Sequence, residues 1–257
     1  MGRAMAILER DIMGGLGKGL LVIETFTATR PRQSISEVAE ASGLDRATAR
    51  RCLLTLGHMG YADYDGKYFT LTPRVLRLGT ACLATMPLPQ LVQPLLDKLS
   101  EELGESSSVS ILDGPEIVYV ARAAQRKVMS IALMPGSRLP AFCTSMGRVM
   151  LAAMPPEAAR GLLEAGPLVA RTRFTQTDID TLMAELFLVR EQGFAVIDQE
   201  VELGLRSIAV PLLNARGSVV AALNVGVAAG QVALDELAPR FLRALRGVQA
   251  EVRAMLR

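Results

Sequence analysis

Three arginines, Arg46, Arg50 and Arg51, fall within six residues, and no Asp or Glu occurs between Asp45 and Asp63. Guanidinium groups without acidic neighbours do one kind of chemistry well. Each presents a planar fork of donors that fits a phosphate or the major-groove edge of guanine. On a helix, Arg46 and Arg50 would sit one turn apart and repel each other by about 0.2–0.5 kcal/mol. An anionic partner relieves that cost. Thr48 lies among these residues and is counted with them as a DNA-facing candidate.

The neighbouring residues predict how this face is presented. Ser34 with Glu37 three positions on has the pattern of a capping box, and Ile35, Val38 and Ala39 mark one apolar face. Gly43 suits the left-handed end of that helix. Asp45 then caps a second helix from about Arg46 to Gly57, with Cys52, Leu53 and Leu56 turned inward. Two short helices joined by a sharp turn, the second one basic, form a helix-turn-helix whose second helix enters the DNA major groove. The stretch Tyr61–Thr72 continues as two short aromatic-rich strands around Asp65-Gly66, a signal for a tight hairpin. Lys67 follows that turn within reach of a phosphate. Helix, turn, basic helix and hairpin make a winged helix-turn-helix; the plainer alternative is a solvated basic face on an ordinary helix pair.

At 257 residues the chain can hold two domains, and half of it is hydrophobic. The net charge of +2 is unevenly placed. Met1–Arg77 holds 11 basic and 8 acidic residues, and the remainder holds 17 and 18. Cys52, Cys82 and Cys143 are far apart and the single histidine is His58, so neither a disulfide framework nor an ordinary metal site is expected. No cofactor motif occurs. No signal peptide or membrane-spanning run is seen, and a cytoplasmic location is expected.

Gly17–Thr29 carries a helical pattern that would support the helix-turn-helix. Thr72-Pro73 opens a linker helix through Val75, Leu76, Leu78, Cys82 and Leu83, more apolar than a lone helix needs, which predicts pairing with a second copy. Met86–Pro89 breaks it, and another helix runs to Gly104. The period then changes. Ser107–Leu112 and Glu116–Ala121 predict a hairpin turning at Asp113-Gly114, and Val128–Leu133 a further strand. Helices are expected over Thr144–Ala153, Pro156–Glu164, Asp178–Gln192 and about Leu234–Leu256, and strands at Phe194–Ile197, Arg206–Pro211 and Val219–Val225. Hairpins dominate, so an α+β fold follows, with a mainly antiparallel sheet flanked by helices. The expected division is 14–73 for the winged helix-turn-helix, 74–87 for the linker helix and 88–257 for the second domain.

Polar detail in the second domain is concentrated in three places. Gly136–Arg148 is a turn leading to a helix start where Thr144, Ser145 and free N–H groups suit a carboxylate or keto oxygen. Ile197–Ser207 is an acidic loop returning to a strand. Asn224 is a lone amide in an apolar strand, which taken alone suggests a side chain satisfied by backbone. Cys143 or Ser145 could be a nucleophile, but a nucleophile needs an adjacent base. The only histidine lies with the helix-turn-helix, and no catalytic residue is assigned. A hydrolase or transferase domain fused to a DNA-binding module is the alternative from another class.

The chain from about Gly17 resembles the IclR (isocitrate lyase regulator) family of transcriptional regulators. The matching stretches are GLLVIETF, SEVAEASGLDRATARRCLLTL, GSRLPAFCTSMGRVMLA and, above all, GLRSIAVPLLNARGSVVAALNV. GESSSVSILDG and IVYVARAAQRK are similar to the subgroup that controls protocatechuate and p-hydroxybenzoate breakdown. The resemblance implies a GAF-like effector domain, a double-stranded DNA operator, a small carboxylic-acid effector, a homodimer or homotetramer, and RNA polymerase as a further partner. By position it also implies an effector pocket of Ile131, Ser145, Met146, Asp198, Ser207 and Asn224, which turns Asn224 from backbone partner to pocket residue. Lys18 stands where relatives often carry Arg.

Overall fold

The computed structural model describes residues 8–27, 29–125 and 133–256. The chain forms two compact units, Met1–Ala84 and Thr85–Arg257. In the first, α1 (Gly14–Glu24), α2 (Ile35–Ser42) and α3 (Arg46–His58) pack on a small antiparallel sheet of β1 (Arg32–Gln33), β2 (Ala62–Tyr64) and β3 (Phe69–Leu71), in the order β1-β3-β2. Val22, Val38, Leu53, Leu56 and Phe69 form its core. α1 stops earlier than its apolar pattern suggests. The Thr25 hydroxyl donates to the Val22 carbonyl at 2.8 Å, and Thr27 and Arg30 exchange a backbone bridge. Threonine hydroxyls compete with the helical ladder in this way.

After Thr72 a single 3₁₀ turn, Pro73–Val75, precedes α4 (Leu76–Thr85). Met86 is the whole break, because α5 (Pro87–Leu103) begins at Pro87. Prolines in the first turn cost no helical donor, so Pro87 and Pro89 start this helix where the sequence suggested an interruption.

The second unit is built on one six-stranded antiparallel sheet. Its strands are β4 (Ser106–Asp113), β5 (Glu116–Ala123), β6 (Arg138–Pro140), β7 (Ala195–Asp198), β8 (Leu205–Leu213) and β9 (Val219–Ala228), in the order β6-β5-β4-β9-β8-β7. β6 was not anticipated, and the expected strand Val128–Leu133 lies outside the described residues except for Leu133. The β4–β5 turn is Gly114-Pro115, one position later than expected, since Asp113 still pairs with Glu116. One face, carrying Val109, Val120, Ile208, Val210, Leu223 and Val225, packs on α5 and α9 (Leu237–Met255). The other lies under α6 (Ser145–Ala152), α7 (Pro156–Glu164) and α8 (Ile179–Gln192). No single helix among the described residues is long and apolar enough to cross a membrane.

Candidate nucleic-acid interface and ligand cavity

In the first unit the caps act as the sequence implies. Glu37 N–H donates to Ser34 Oγ at 3.3 Å and Ser34 N–H to Glu37 Oε2 at 2.6 Å, and Gly43 closes α2 at φ +68°. The Asp45 carboxylate accepts from Thr48 N–H at 2.9 Å and starts α3. Inward-facing Ala49, Leu53 and Leu56 fix the rotation of α3, and Cys52 is only half-buried. At about 100° per residue, Ala47, Arg51, Leu54 and His58 form the stripe opposite that buried edge, and all four are exposed. Arg46 and Arg50 are exposed along one flank; Thr48 and Thr55 lie on the other, beside α1. Among the described residues none of the three arginines has an acidic partner.

The hairpin tip is Gly66-Lys67, one position beyond the expected Asp65-Gly66. The Asp65 carboxylate accepts from Lys67 N–H at 2.9 Å and Tyr68 N–H at 2.8 Å, which makes Asp65 the base of the turn. These bonds, with the Arg32 guanidinium paired to it, hold the Asp65 carboxyl down at about 2. Lys67 projects there with its ammonium 4.9 Å from the Tyr68 ring centre. An exposed cationic helix and a cationic hairpin tip together suit a phosphate backbone.

In the second unit, polar groups gather on the α6 side of the sheet. Ser108 on β4 is cross-strand partner to both Arg122 on β5 and Asn224 on β9, so the three form a row across the central strands. Half-buried Arg122 donates from Nη1 to Ser108 Oγ at 2.9 Å and has no carboxylate partner among the described residues. Burial pushes its guanidinium below the ordinary value. The Asn224 Oδ1 atom is buried with no hydrogen-bond partner among the described residues. Farther along, Ser145 Oγ and Ser207 Oγ are 2.9 Å apart, both buried. Met146 receives the Ser110 hydroxyl at 3.2 Å. Arg122, Ser145, Met146, Ser207 and Asn224 border one cavity of about 30 Å³ with Tyr119, Leu139, Val201 and Leu205. That space holds one or two waters; a ring enters only as these walls give way.

Asp198 is not in this set. It pairs with Arg206 at 2.6 Å, and the same guanidinium donates to the Ala229 and Val232 carbonyls, so Asp198 ties the loop to the end of β9. Ile131 lies outside the described residues. The start of α6 is closed by Thr144, whose Oγ accepts from Gly147 N–H at 3.1 Å. A Cβ on Gly147 would lie 2.1 Å from the Ala141 carbonyl oxygen, so only glycine lets α6 approach this closely.

Sequence reasoning missed two arginines. Arg122 sits in a strand whose alternation could not be told from ordinary surface patterning. Arg148 is 4% exposed inside α6 and pairs with Glu200 and Glu185, 52 and 37 residues away. Burial pushes the Cys143 thiol up to about 11, which leaves it protonated at neutral pH, and the recorded partner of Ser145 is a second hydroxyl rather than a base.

Comparison with known proteins finds a match for each of the two units. Residues 15–66 match the IclR helix-turn-helix domain and residues 80–253 the bacterial transcriptional regulator IclR C-terminal domain. The chain is 45% identical to the Pca regulon regulatory protein of Pseudomonas putida over 91% of this chain and 81% of that protein. A transcriptional regulator of Rhodococcus sp. RHA1 has a crystal structure with 44% identity and a TM-score of 0.78, covering 95% of this chain and 98% of that one. The inducer-binding domain of the PobR transcription factor from Acinetobacter, solved as a double mutant with 3-hydroxybenzoic acid, is 33% identical. Its TM-score is 0.63, over 66% of this chain and all of that one. The relatives are regulators of transcription, which sets aside the hydrolase and transferase alternative.

Proposed function

The chain belongs to the IclR family of bacterial transcriptional regulators, and from that premise we propose that the cavity beside Arg122 receives a small aromatic carboxylic acid which adjusts operator binding. The observation that carries this reading is a half-buried guanidinium with no acidic partner among the described residues, opening on the same space as Ser145, Ser207 and Asn224. A desolvated arginine is a strong carboxylate ligand, and its fork takes both oxygens. Across the sheet, β4 and β8 are two strand spacings apart, roughly 10 Å. A ring with its carboxylate at Arg122 and a hydroxyl toward Ser145 and Ser207 spans that floor. Tyr119, Leu139 and Met146 give the ring apolar walls. The hydroxybenzoic acid bound by the Acinetobacter inducer-binding domain has this chemistry. Asn224 belongs to the site; Asp198 orders its rim.

For DNA, the outer stripe of α3 enters the major groove, with Arg51 on base edges. Arg46, Arg50, Thr48 and Lys67 meet the backbone. The functional division is 14–73 for DNA, 74–87 for the linker and 88–257 for the effector. Self-association uses the first unit. There Leu16 and Leu20 of α1, Met59 and Leu78 are exposed apolar side chains. Leu78 is 52% exposed and Leu76 68%, more apolar surface than a solitary helix carries without cost. A two-fold dimer matches a pseudo-palindromic operator. Pairing of effector units into a tetramer and contact with RNA polymerase complete the partner set.

Operator binding followed by fluorescence anisotropy with and without p-hydroxybenzoate tests the cavity. Arg122→Leu should abolish the acid's effect while ligand-free operator affinity stays within about twofold. Asn224→Leu should do likewise and also raise the melting temperature, because an unpaired buried acceptor costs about 1–3 kcal/mol. An undiminished response in Arg122→Leu would show that the acid binds elsewhere.

A further inference from the structure

At the β6 edge of the sheet lies a groove of about 330 Å³, apart from the effector cavity in everything but one hydrogen bond. Phe142, Leu162, Leu168 and Val169 line it, and Val169 is 67% exposed. Arg171 stands on its rim. The Arg171 Nε atom donates to the Val201 carbonyl at 3.3 Å, and no carboxylate pairs with this guanidinium among the described residues. The other charged residue of the lining, Glu116, is held by Arg138 at 2.7 Å, which Asp113 shares at 2.8 Å. The groove therefore presents the Arg171 guanidinium beside an apolar wall, with the Glu116 carboxylate tied to Arg138.

We propose that this groove is a second binding site, which takes a small carboxylate with a hydrocarbon or aryl body. The carboxylate meets the free donors of Arg171 and the body lies on Phe142 and Leu162. Its volume falls within the range of small-molecule sites. A peptide is a poor occupant. Pro115, Pro140 and Pro167 border the groove and offer no N–H groups for an added strand. A second copy packed two-fold about this point would set Arg171 near its own equivalent, and like charges oppose that.

Val201, whose carbonyl Arg171 holds, is also a wall of the effector cavity. An acid that draws Arg171 toward the groove loosens that wall, so occupancy of the groove changes affinity at Arg122. This coupling rests on the effector role proposed above; the groove's own affinity does not.

Fluorine NMR of 4-fluorobenzoate with the full-length protein reads both sites. Two bound signals are expected. Arg122→Leu should remove one, and Arg171→Leu should weaken the other at least tenfold. Ala165→Trp, which fills the groove from an exposed position and leaves the Arg171 side chain in place, should do the same as Arg171→Leu. A wild type that binds only through Arg122 overturns the groove and leaves the cavity reading intact. Binding only through Arg171 does the reverse. If the signal lost in Arg171→Leu survives Ala165→Trp unchanged, the proposal is overturned, as it is by a shift in oligomeric state in these variants with both signals preserved, which would make the groove an interface.

Discussion

Arg148 and Glu200 meet at 2.7 Å with side chains only 5% and 10% exposed, and Glu185 completes the group on the other side of the guanidinium. Removing one member of a buried pair is costly because the remaining charge has neither water nor partner. Arg148→Met should cost about 3–5 kcal/mol in urea unfolding. Burial already raises the Glu200 carboxyl above its ordinary value despite Arg148. Without the arginine it rises further. In the variant this group's contribution is complete below the unfolded carboxyl value and is lost as pH rises through the folded one. The Arg148→Met deficit should therefore shrink as pH is lowered and be largest at neutral pH. A deficit independent of pH would show that Glu200 is not the group left uncompensated.

Asp65 shifts the other way, from 3.8 to about 2. Backbone N–H groups of Tyr68 and Lys67 are its main stabilisers, with Arg32 adding to them. A depressed carboxyl stabilises the fold above its unfolded value, and that stability fades as pH falls from about 4 toward 2. Hydrogen exchange at the Lys67 and Tyr68 amides should lose protection over that window, and at all pH values in Asp65→Ala. Protection that persists in Asp65→Ala would assign the turn to the backbone alone.

On α3, the outer stripe and its flank should separate in DNA binding. Arg51→Ala should cost about 1–3 kcal/mol on the cognate operator and relax specificity, whereas Arg46→Ala should weaken all sequences alike and lower the salt slope by about one. Titrations on operator and random duplexes at several salt concentrations distinguish the two. Equal losses on both duplexes for Arg51→Ala would move that residue to the phosphate backbone.

Gly147→Ala adds one methyl group against the Ala141 carbonyl. Overpacking of this kind costs about 1–3 kcal/mol or more, so the melting temperature should fall by several degrees. Gly161→Ala, in open space on α7, should leave it unchanged or slightly higher. Equal behaviour of the two variants would mean that α6 can withdraw from Ala141 without penalty.

How far the sequence reached depended on distance along the chain. Ser34, Gly43, Asp45 and Asp178 define helix ends through bonds that span three residues or fewer, and each was legible from its neighbours. Strand alternation was legible as well, which is why the antiparallel sheet could be expected. Arg148 in GRVMLA resembles any helical arginine until Glu185 and Glu200 are brought to it by the fold. Arg122 is hidden for a related reason: its neighbours in the sheet, Ser108 and Asn224, belong to other strands, and only the register puts them in one row. Residues 128–132 of the expected strand, Ile131 among them, lie outside the described residues.

The floor of the cavity and the main core are opposite sides of the same strands. Asn224 borders the cavity while Leu223 beside it packs under α5 and α9; on β5, Arg122 and Ala121 divide in the same way. Along each strand the chemistry of recognition and the chemistry of folding therefore occupy alternate letters of the sequence. A change of letter at 122 or 224 alters the lining of the cavity and leaves the packed side unread. Variation or engineering can thus retune such a sensor one substitution at a time, through a series of folded intermediates.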